Sequence, residues 1–266
     1  MTPEVASRLP GSAVLDSGSG PAVLLLHGTA PGTTADGNFS LLVSALAGYR
    51  VLAPDLLGFG ASPMPLDLDY GPDLWSRQAW QILDDRGIQR VAVVGNSMGA
   101  RVALTMALTR PDRIRGLVLL STRVTPTSSA AQALLRAYTP SIQGMEHLLR
   151  ECFVTDPALV TPEAVRMRYE ASARPGAHEA MQRVFAGLAA CGPWPAEGDL
   201  AGVAAPVMLL HGREDRIVPS GDGARLAALL PHADLHVLGG TGHWLQIERA
   251  GTVNALITDF LTRCPA

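Results

Sequence analysis

The sequence predicts an α/β fold: a mostly parallel, doubly wound sheet with an inserted helical segment. Short, continuous apolar runs recur along the chain, the pattern of strands buried on both faces. Stretches of helical period separate them, and this alternation implies right-handed crossovers with helices on both sides of the sheet. From about Val124 to Val203 the alternation stops, and helical pieces broken by proline and glycine take over.

Taken in order, residues 13 to 16 (AVLD) form a short first strand ended by Ser17-Gly18-Ser19-Gly20, and Ala22 to Leu26 is the first buried strand. Thr29 to Asn38 has the glycine and proline content of a loop, after which Phe39 to Leu46 reads as a helix. Arg50 to Ala53 is a strand, and a loop carrying Asp55 follows it. Pro72 to Arg86 is amphipathic, with Trp75, Ala79, Ile82 and Leu83 on one stripe and Gly87 at its end. Val91 to Val94 is the next strand, and an apolar helix follows it through Gly95-Asn96-Ser97-Met98-Gly99. Ile114 to Leu120 is the strand before the interruption, and Pro206 to Leu210 restores the pattern after it. A helix over Asp222 to Leu230, a strand over Asp234 to Leu238 and a last helix with Val253, Leu256, Ile257, Phe260 and Leu261 on one stripe complete the chain. The domain reading is core over 1–123, cap over 124–203 and core over 204–266.

Composition narrows the function classes. With 266 residues, 47% hydrophobic and 17% charged, the chain can bury a large core. A net charge of -3 and the absence of a basic stripe argue against nucleic acid or an anionic membrane as partner. No run of about 18 apolar residues occurs, and the N-terminus has no basic segment followed by an apolar one. Cys152, Cys191 and Cys264 are widely spaced and odd in number, which suits a reducing, cytoplasmic compartment rather than a disulfide framework or metal site. The expectation is a small-molecule substrate, no metal and no cofactor. The oligomeric state stays open, a homo-oligomer included.

Ser97 sits where a strand turns sharply into a helix, which demands strained backbone angles and small neighbours. Gly95 and Gly99 supply them. The following helix aims its first N–H groups, and the positive end of its dipole, at any anion formed beside the serine. A serine hydroxyl needs a base, and the base needs a carboxylate to fix its tautomer. His243 lies in the last loop, while His27 and His211 also follow strands and compete with it. Asp215 is the candidate acid. Glu214 is expected to point to solvent, and Asp55 to be satisfied by loop N–H groups. The N–H of Met98 and that of Thr29, in the loop after His27-Gly28, are the candidate oxyanion donors.

The order Ser, Asp, His and the stretches VVGNSMGARVAL, LLLHGTAPGTTADGNF, YRVLAPDLLGFGAS, HGREDRIVP and GGTGHWLQIE resemble the α/β-hydrolase superfamily along the whole chain. Within it they are similar to the meta-cleavage product hydrolases, which cut a carbon-carbon bond in ring-opened dienoates. The stretch FVTDPALVTPEAVRMRYEASARPGAHEAM is similar to the cap of 2-hydroxymuconic semialdehyde hydrolases. The resemblance implies that Asn38 and Asn96 polarise the dienoate, Arg168 holds its carboxylate and Trp244 lines the pocket. Read without it, Asn38 is a helix N-cap and Arg168 belongs to a solvated helix face.

Two departures bear on the substrate. Ala100 replaces a further glycine of the family and should narrow the elbow slightly. Asp36-Gly37 replaces a bulkier element and should open or recharge the acid side of the pocket. The leading expectation is hydrolysis of a 2-hydroxy-6-oxo-dienoate. A carboxylesterase or thioesterase acting on an aromatic or polyketide-derived ester is the alternative, and a non-catalytic ligand-binding protein the third. Dehalogenase and epoxide hydrolase chemistry is disfavoured, because it needs an acidic nucleophile where this chain has Ser97.

Overall fold

The structure, a computed structural model, describes residues 8–123, 128–192 and 195–264. Met1 to Ser7 and Val124, where the helical insertion is expected to begin, lie outside them.

Seven strands form one sheet: β1 (Val14–Ser17), β2 (Ala22–Leu26), β3 (Arg50–Pro54), β4 (Val91–Asn96), β5 (Ile114–Leu120), β6 (Val207–Gly212) and β7 (Ala233–Leu238). Their order is β1-β3-β2-β4-β5-β6-β7, and all neighbours are parallel except the β1–β3 pair. Alternation along each strand divides the core in two. In β2, Leu24 and Leu26 join one apolar cluster while Val23 and Leu25 join the other. The first cluster packs under α2 (Pro72–Asp84), α3 (Met98–Thr109) and α8 (Ser220–Leu229); the second packs under α1 (Ala35–Ala45) and α10 (Ala250–Arg263).

Between β5 and β6 lie α4 (Ala130–Ala137), α5 (Ile142–Leu148), α6 (Pro162–Ser172) and α7 (Ala177–Ala190). They bury a third apolar cluster that includes Leu135, Phe153 and Val165 and reaches the main body through Ile217 and Val218. The last turn of α5 widens into a π-helical turn over Leu149–Phe153, whose end presents Phe153. A short helix, α9 (Leu245–Glu248), precedes α10.

One boundary differs in a way that matters for the site. Helix α1 begins at Ala35 rather than Phe39, because the Thr34 hydroxyl accepts the N–H of Gly37 and caps it. A threonine followed two residues later by Asp36 is an N-terminal signal, masked here by the glycine-rich composition around it. Asn38 is therefore not the cap; it faces inward from the first turn of α1.

Candidate active site

Ser97 adopts φ 55° and ψ −112° between β4 and α3, a region L-residues rarely occupy. The turn is held from both sides: the Ser97 N–H donates to the Leu120 carbonyl at 2.8 Å, and the Thr122 hydroxyl donates to the Ser97 carbonyl at 3.0 Å. A Cβ on Gly99 would come within 2.1 Å of the Leu26 carbonyl oxygen, and one on Gly95 within 2.5 Å of the Ala100 nitrogen. Both glycines are thus sterically required. Ala100 is fully buried beneath the turn.

Asp215 and His243 meet from the loops after β6 and β7. His243 Nδ1–H donates to Asp215 Oδ2 at 2.8 Å, which leaves Nε2 free to act as a proton acceptor. Asp215 Oδ1 accepts the N–H groups of Ile217 and Val218, each at 2.8 Å. Burial opposes the charge on Asp215, yet the attraction of His243 and the hydrogen bonds from His211, His243 and Val218 outweigh it. The carboxyl is held well below the usual carboxylate range.

The competing groups are engaged elsewhere. His27 accepts the Leu56 N–H at Nε2 and donates from Nδ1 to the Gly28 carbonyl, while burial lowers its pKa. His211 donates from Nε2 to the Val218 carbonyl at 2.9 Å. Asp55 accepts the N–H groups of Ala35 and Ala61. Glu214 is exposed, as expected, and it also accepts the Thr241 N–H at 3.0 Å, which braces the loop that carries His243. A loop N–H that comes round to a strand-end carboxylate leaves no sequence signal.

Thr29 and Met98 line the same cavity as Ser97, and the Thr29 hydroxyl is buried without a hydrogen-bond partner in the protein. Gly28 permits this closeness, since a Cβ there would stand 3.2 Å from Ser97 Cβ and 3.0 Å from Asn96 Oδ1. Asn38 Nδ2 points to Asn96 Oδ1 at 3.5 Å, both residues being buried, and Asn96 Nδ2 has no partner.

Arg168 is buried, contrary to the solvated helix face that α6 suggests on its own. Its guanidinium carbon lies 4.8 Å from the Phe153 ring centroid and 4.6 Å from that of Trp244. Nη2 donates to the Thr33 hydroxyl at 2.9 Å, Nε has no partner, and burial pushes its pKa down to about 9. Phe153 also meets the His243 ring edge-on at 6.0 Å, and its carbonyl accepts the Trp244 N–H at 3.0 Å. Phe153 and Thr33 were not legible as site residues. An aromatic and a hydroxyl at irregular positions carry no spacing signal of their own.

The structure separates two groups that the sequence reading places together. Ser97, Thr29 and Met98 line a cavity of about 190 Å³, whereas Arg168 and Trp244 line a groove of about 820 Å³ that does not include Ser97. Arg168 approaches the site through Phe153, drawn there by its clamp of two aromatic rings. Asp36 is exposed in the first turn of α1 and, with Gly37, lines the groove that Arg168 lines rather than the Ser97 cavity. Among the described residues, no helix is long and apolar enough to cross a membrane, and no cluster of three or more His, Cys, Asp or Glu could hold a metal ion.

The model of the alpha/beta hydrolase fold family matches residues 21–250. The chain is 38% identical to 2-hydroxymuconate semialdehyde hydrolase of Pseudomonas sp. strain CF600, over 94% of this chain and 90% of that one. It is 36% identical to a 2-hydroxy-6-oxononadienedioate/2-hydroxy-6-oxononatrienedioate hydrolase of Burkholderia vietnamiensis, over 93% and 90% respectively. Among solved structures it is similar to a meta-cleavage product hydrolase of Pseudomonas fluorescens IP01, a serine-to-alanine variant complexed with acetates, at TM-score 0.88, 35% identity and 94% coverage of both chains. The chain belongs to the α/β-hydrolase fold family and is an enzyme of that hydrolase class.

Proposed function

We propose that this enzyme hydrolyses a carbon-carbon bond in a 2-hydroxy-6-oxo-dienoate, with Ser97, Asp215 and His243 as its triad and residues 124–203 as a cap over them. The observation that carries this reading is Arg168. A buried guanidinium with an unfilled Nε and no acidic partner among the described residues, set beside the His243 ring through Phe153, is a receptor for a carboxylate. A simple ester offers it nothing.

In this mechanism the dienoate carboxylate sits at Arg168, and Asn38 and Asn96 face its 2-oxygen. His243 moves the proton of the 2-hydroxyl to C5, which turns the dienol into a vinylogous 1,5-diketone. It then draws a proton from Ser97, or from a water in its place, as that oxygen adds to the C6 carbonyl. Met98 N–H and Thr29 N–H stabilise the oxyanion. When the C5–C6 bond breaks, its electron pair passes into the enone and re-forms a dienol held by Asn96 and Arg168. Where Ser97 was the nucleophile, a water deprotonated by His243 then hydrolyses the acyl-Ser97 ester, and on either route the products are a 2-hydroxydienoate and a carboxylic acid. No step draws on a cofactor, and the three cysteines, none of them in a disulfide, suit a cytoplasmic setting.

A second reading, a carboxylesterase or thioesterase, is favoured by one observation: Ser97 and Arg168 line different depressions. One assay decides between them. Purified enzyme is expected to bleach the visible absorbance of 2-hydroxy-6-oxo-dienoates far faster than it releases phenol from aryl esters. Rapid ester turnover with no dienoate bleached at all would overturn the proposal.

A further inference from the structure

Two consecutive N–H groups lead into His243, and each ends on a carboxylate. Thr241 N–H donates to Glu214 Oε2 at 3.0 Å, and Gly242 N–H donates to Glu248 Oε1 at 2.6 Å. Glu214 lies in the loop after β6 and holds its partner from the main body. Glu248, the last residue of α9, reaches further: its Oε2 accepts both the N–H and the hydroxyl of Thr155, each at 2.6 Å. Thr155 belongs to the helical insertion between β5 and β6, two residues beyond Phe153.

That second contact sets Glu248 apart. The Phe153 and Trp244 rings, 4.8 Å apart, hold Arg168 between them, and Phe153 also meets the His243 ring edge-on. The bonds around this clamp run through the same few residues. The Phe153 carbonyl accepts the Trp244 N–H at 3.0 Å, the Thr155 hydroxyl lies 3.0 Å from the Gly240 carbonyl oxygen, and the Trp244 carbonyl accepts the N–H of Glu248 itself at 2.9 Å. A Cβ on Gly242 would stand 3.0 Å from the Phe153 carbonyl oxygen and 3.1 Å from Glu248 Oε1, so a side chain there would push the two segments apart. A carboxylate suits this place, because it accepts on both oxygens and has no proton to give, and three donors arrive at it from two directions. An amide would turn its own N–H groups toward one of them. Bonds to a charged acceptor are also the stronger kind, so the tie resists the opening of either segment.

We propose that Glu248 is a positioning residue, which fixes residues 153–155 of the insertion against the His243 loop so that one carboxylate sets both the general base and the aromatic clamp on Arg168. This rests on the dienoate reading above for the roles of His243 and Arg168, and it adds the group that keeps them in register. Loss of the tie frees two things at once. The His243 loop keeps its Glu214 brace but loses the Glu248 one, which lowers kcat for any substrate. The clamp loses its seat, which raises KM for the dienoate alone.

Amide hydrogen exchange reads the tie without reference to any substrate. In Glu248→Gln, exchange should quicken together in peptides covering residues 153–155 and residues 240–243, whereas in Glu214→Gln it should quicken in the second alone. Activity reads the consequence. Glu248→Gln should lower kcat/KM for 2-hydroxy-6-oxo-dienoates by roughly 10- to 100-fold, the scale of a small misplacement of reacting groups, with KM raised. For aryl esters it should lower kcat and leave KM unchanged. Thr155→Val, which exchanges one hydroxyl for a methyl, should raise the dienoate KM and spare ester kcat. Combined with Glu248→Gln it should add little, because both changes break the same tie. Faster exchange confined to the histidine loop, or additive losses in the double variant, overturns the inference and leaves the dienoate reading standing. Wild-type enzyme that bleaches no dienoate, while the two segments still open together in Glu248→Gln, overturns the dienoate reading and leaves the tie standing.

Discussion

The triad and the polar groups around it differ in how they are satisfied. At the triad, Asp215 receives four hydrogen-bonding partners in the protein, His211 among them, and Ser97 is fixed through its own backbone, while His27 is spent on backbone groups. Around it, Thr29 Oγ1, Asn96 Nδ2, Gln132 Oε1 and Arg168 Nε are buried without partners. A satisfied network is rigid and holds a geometry; an unsatisfied one has free energy to gain from a ligand. On the proposed reading, the triad carries the reaction and the groups around it recognise what is admitted.

The largest effect that would separate these roles is at Ser97. Ser97→Ala should lower kcat for every substrate, dienoate or ester, by at least about 10³-fold, as removal of a triad member does elsewhere. Its folding should be unchanged by circular dichroism. If one substrate class alone lost activity, the triad would be choosing substrates as well.

Arg168→Met comes next. Truncating one partner of a buried, hydrogen-bonded charge pair costs about 2–5 kcal/mol, so kcat/KM for dienoates should fall by roughly 10²-fold or more. Aryl-ester turnover should fall far less. Equal losses for both would mean that Arg168 acts by supporting Phe153 and Trp244 rather than by holding a carboxylate.

How much of this was legible in sequence follows the same division. Continuous apolar runs reveal the strands, and Ser97, Asp215 and His243 stand at fixed places beyond them, so the triad is nearly readable from local pattern. Helix α1 was misplaced by four residues, because the composition around Thr34 hides its capping role. Arg168 lies on a helix whose period suggests a solvated face, and its burial depends on Phe153 and Trp244, distant in sequence. Only the family resemblance pointed to it. Gln132, which lines the Ser97 cavity, carries no such signal for the same reason: a cavity wall is a product of packing between elements, and no period in any one of them encodes it.

Gly32 tests whether the two sets of groups must be held together. It has φ +70°, and a Cβ there would stand 2.0 Å from the Arg168 carbonyl oxygen, so the loop after β2 touches α6 backbone to side-chain-free backbone. Gly176, at φ +80° just before α7, has nothing within 4 Å of such a Cβ. Both substitutions to alanine incur the left-handed penalty of about 1–2 kcal/mol. Gly32→Ala adds a collision, and it should therefore lower the thermal midpoint more than Gly176→Ala and also weaken dienoate binding, read as a raised KM. Equal midpoints and equal KM values would show that α6 yields without disturbing Arg168.

The smallest effect is confined to acid, and it tests the claim that the hydrogen bonds around Asp215 satisfy its charge. Asp215 has a pKa depressed in the folded protein, so the stability its ionised form contributes is present above the unfolded value of about 3.9 and is lost as pH falls below it. In Asp215→Asn this contribution is absent at every pH, while the amide oxygen can still accept the N–H groups of Ile217 and Val218. Unfolding free energies of the two proteins, measured in denaturant from neutral pH downwards, should differ by a constant amount until about pH 5 and draw progressively together as pH falls below about 4. A difference that stays constant to lower pH would mean that Asp215 owes little to its charge, and that its hydrogen bonds to the Ile217–Val218 turn are what hold the loop.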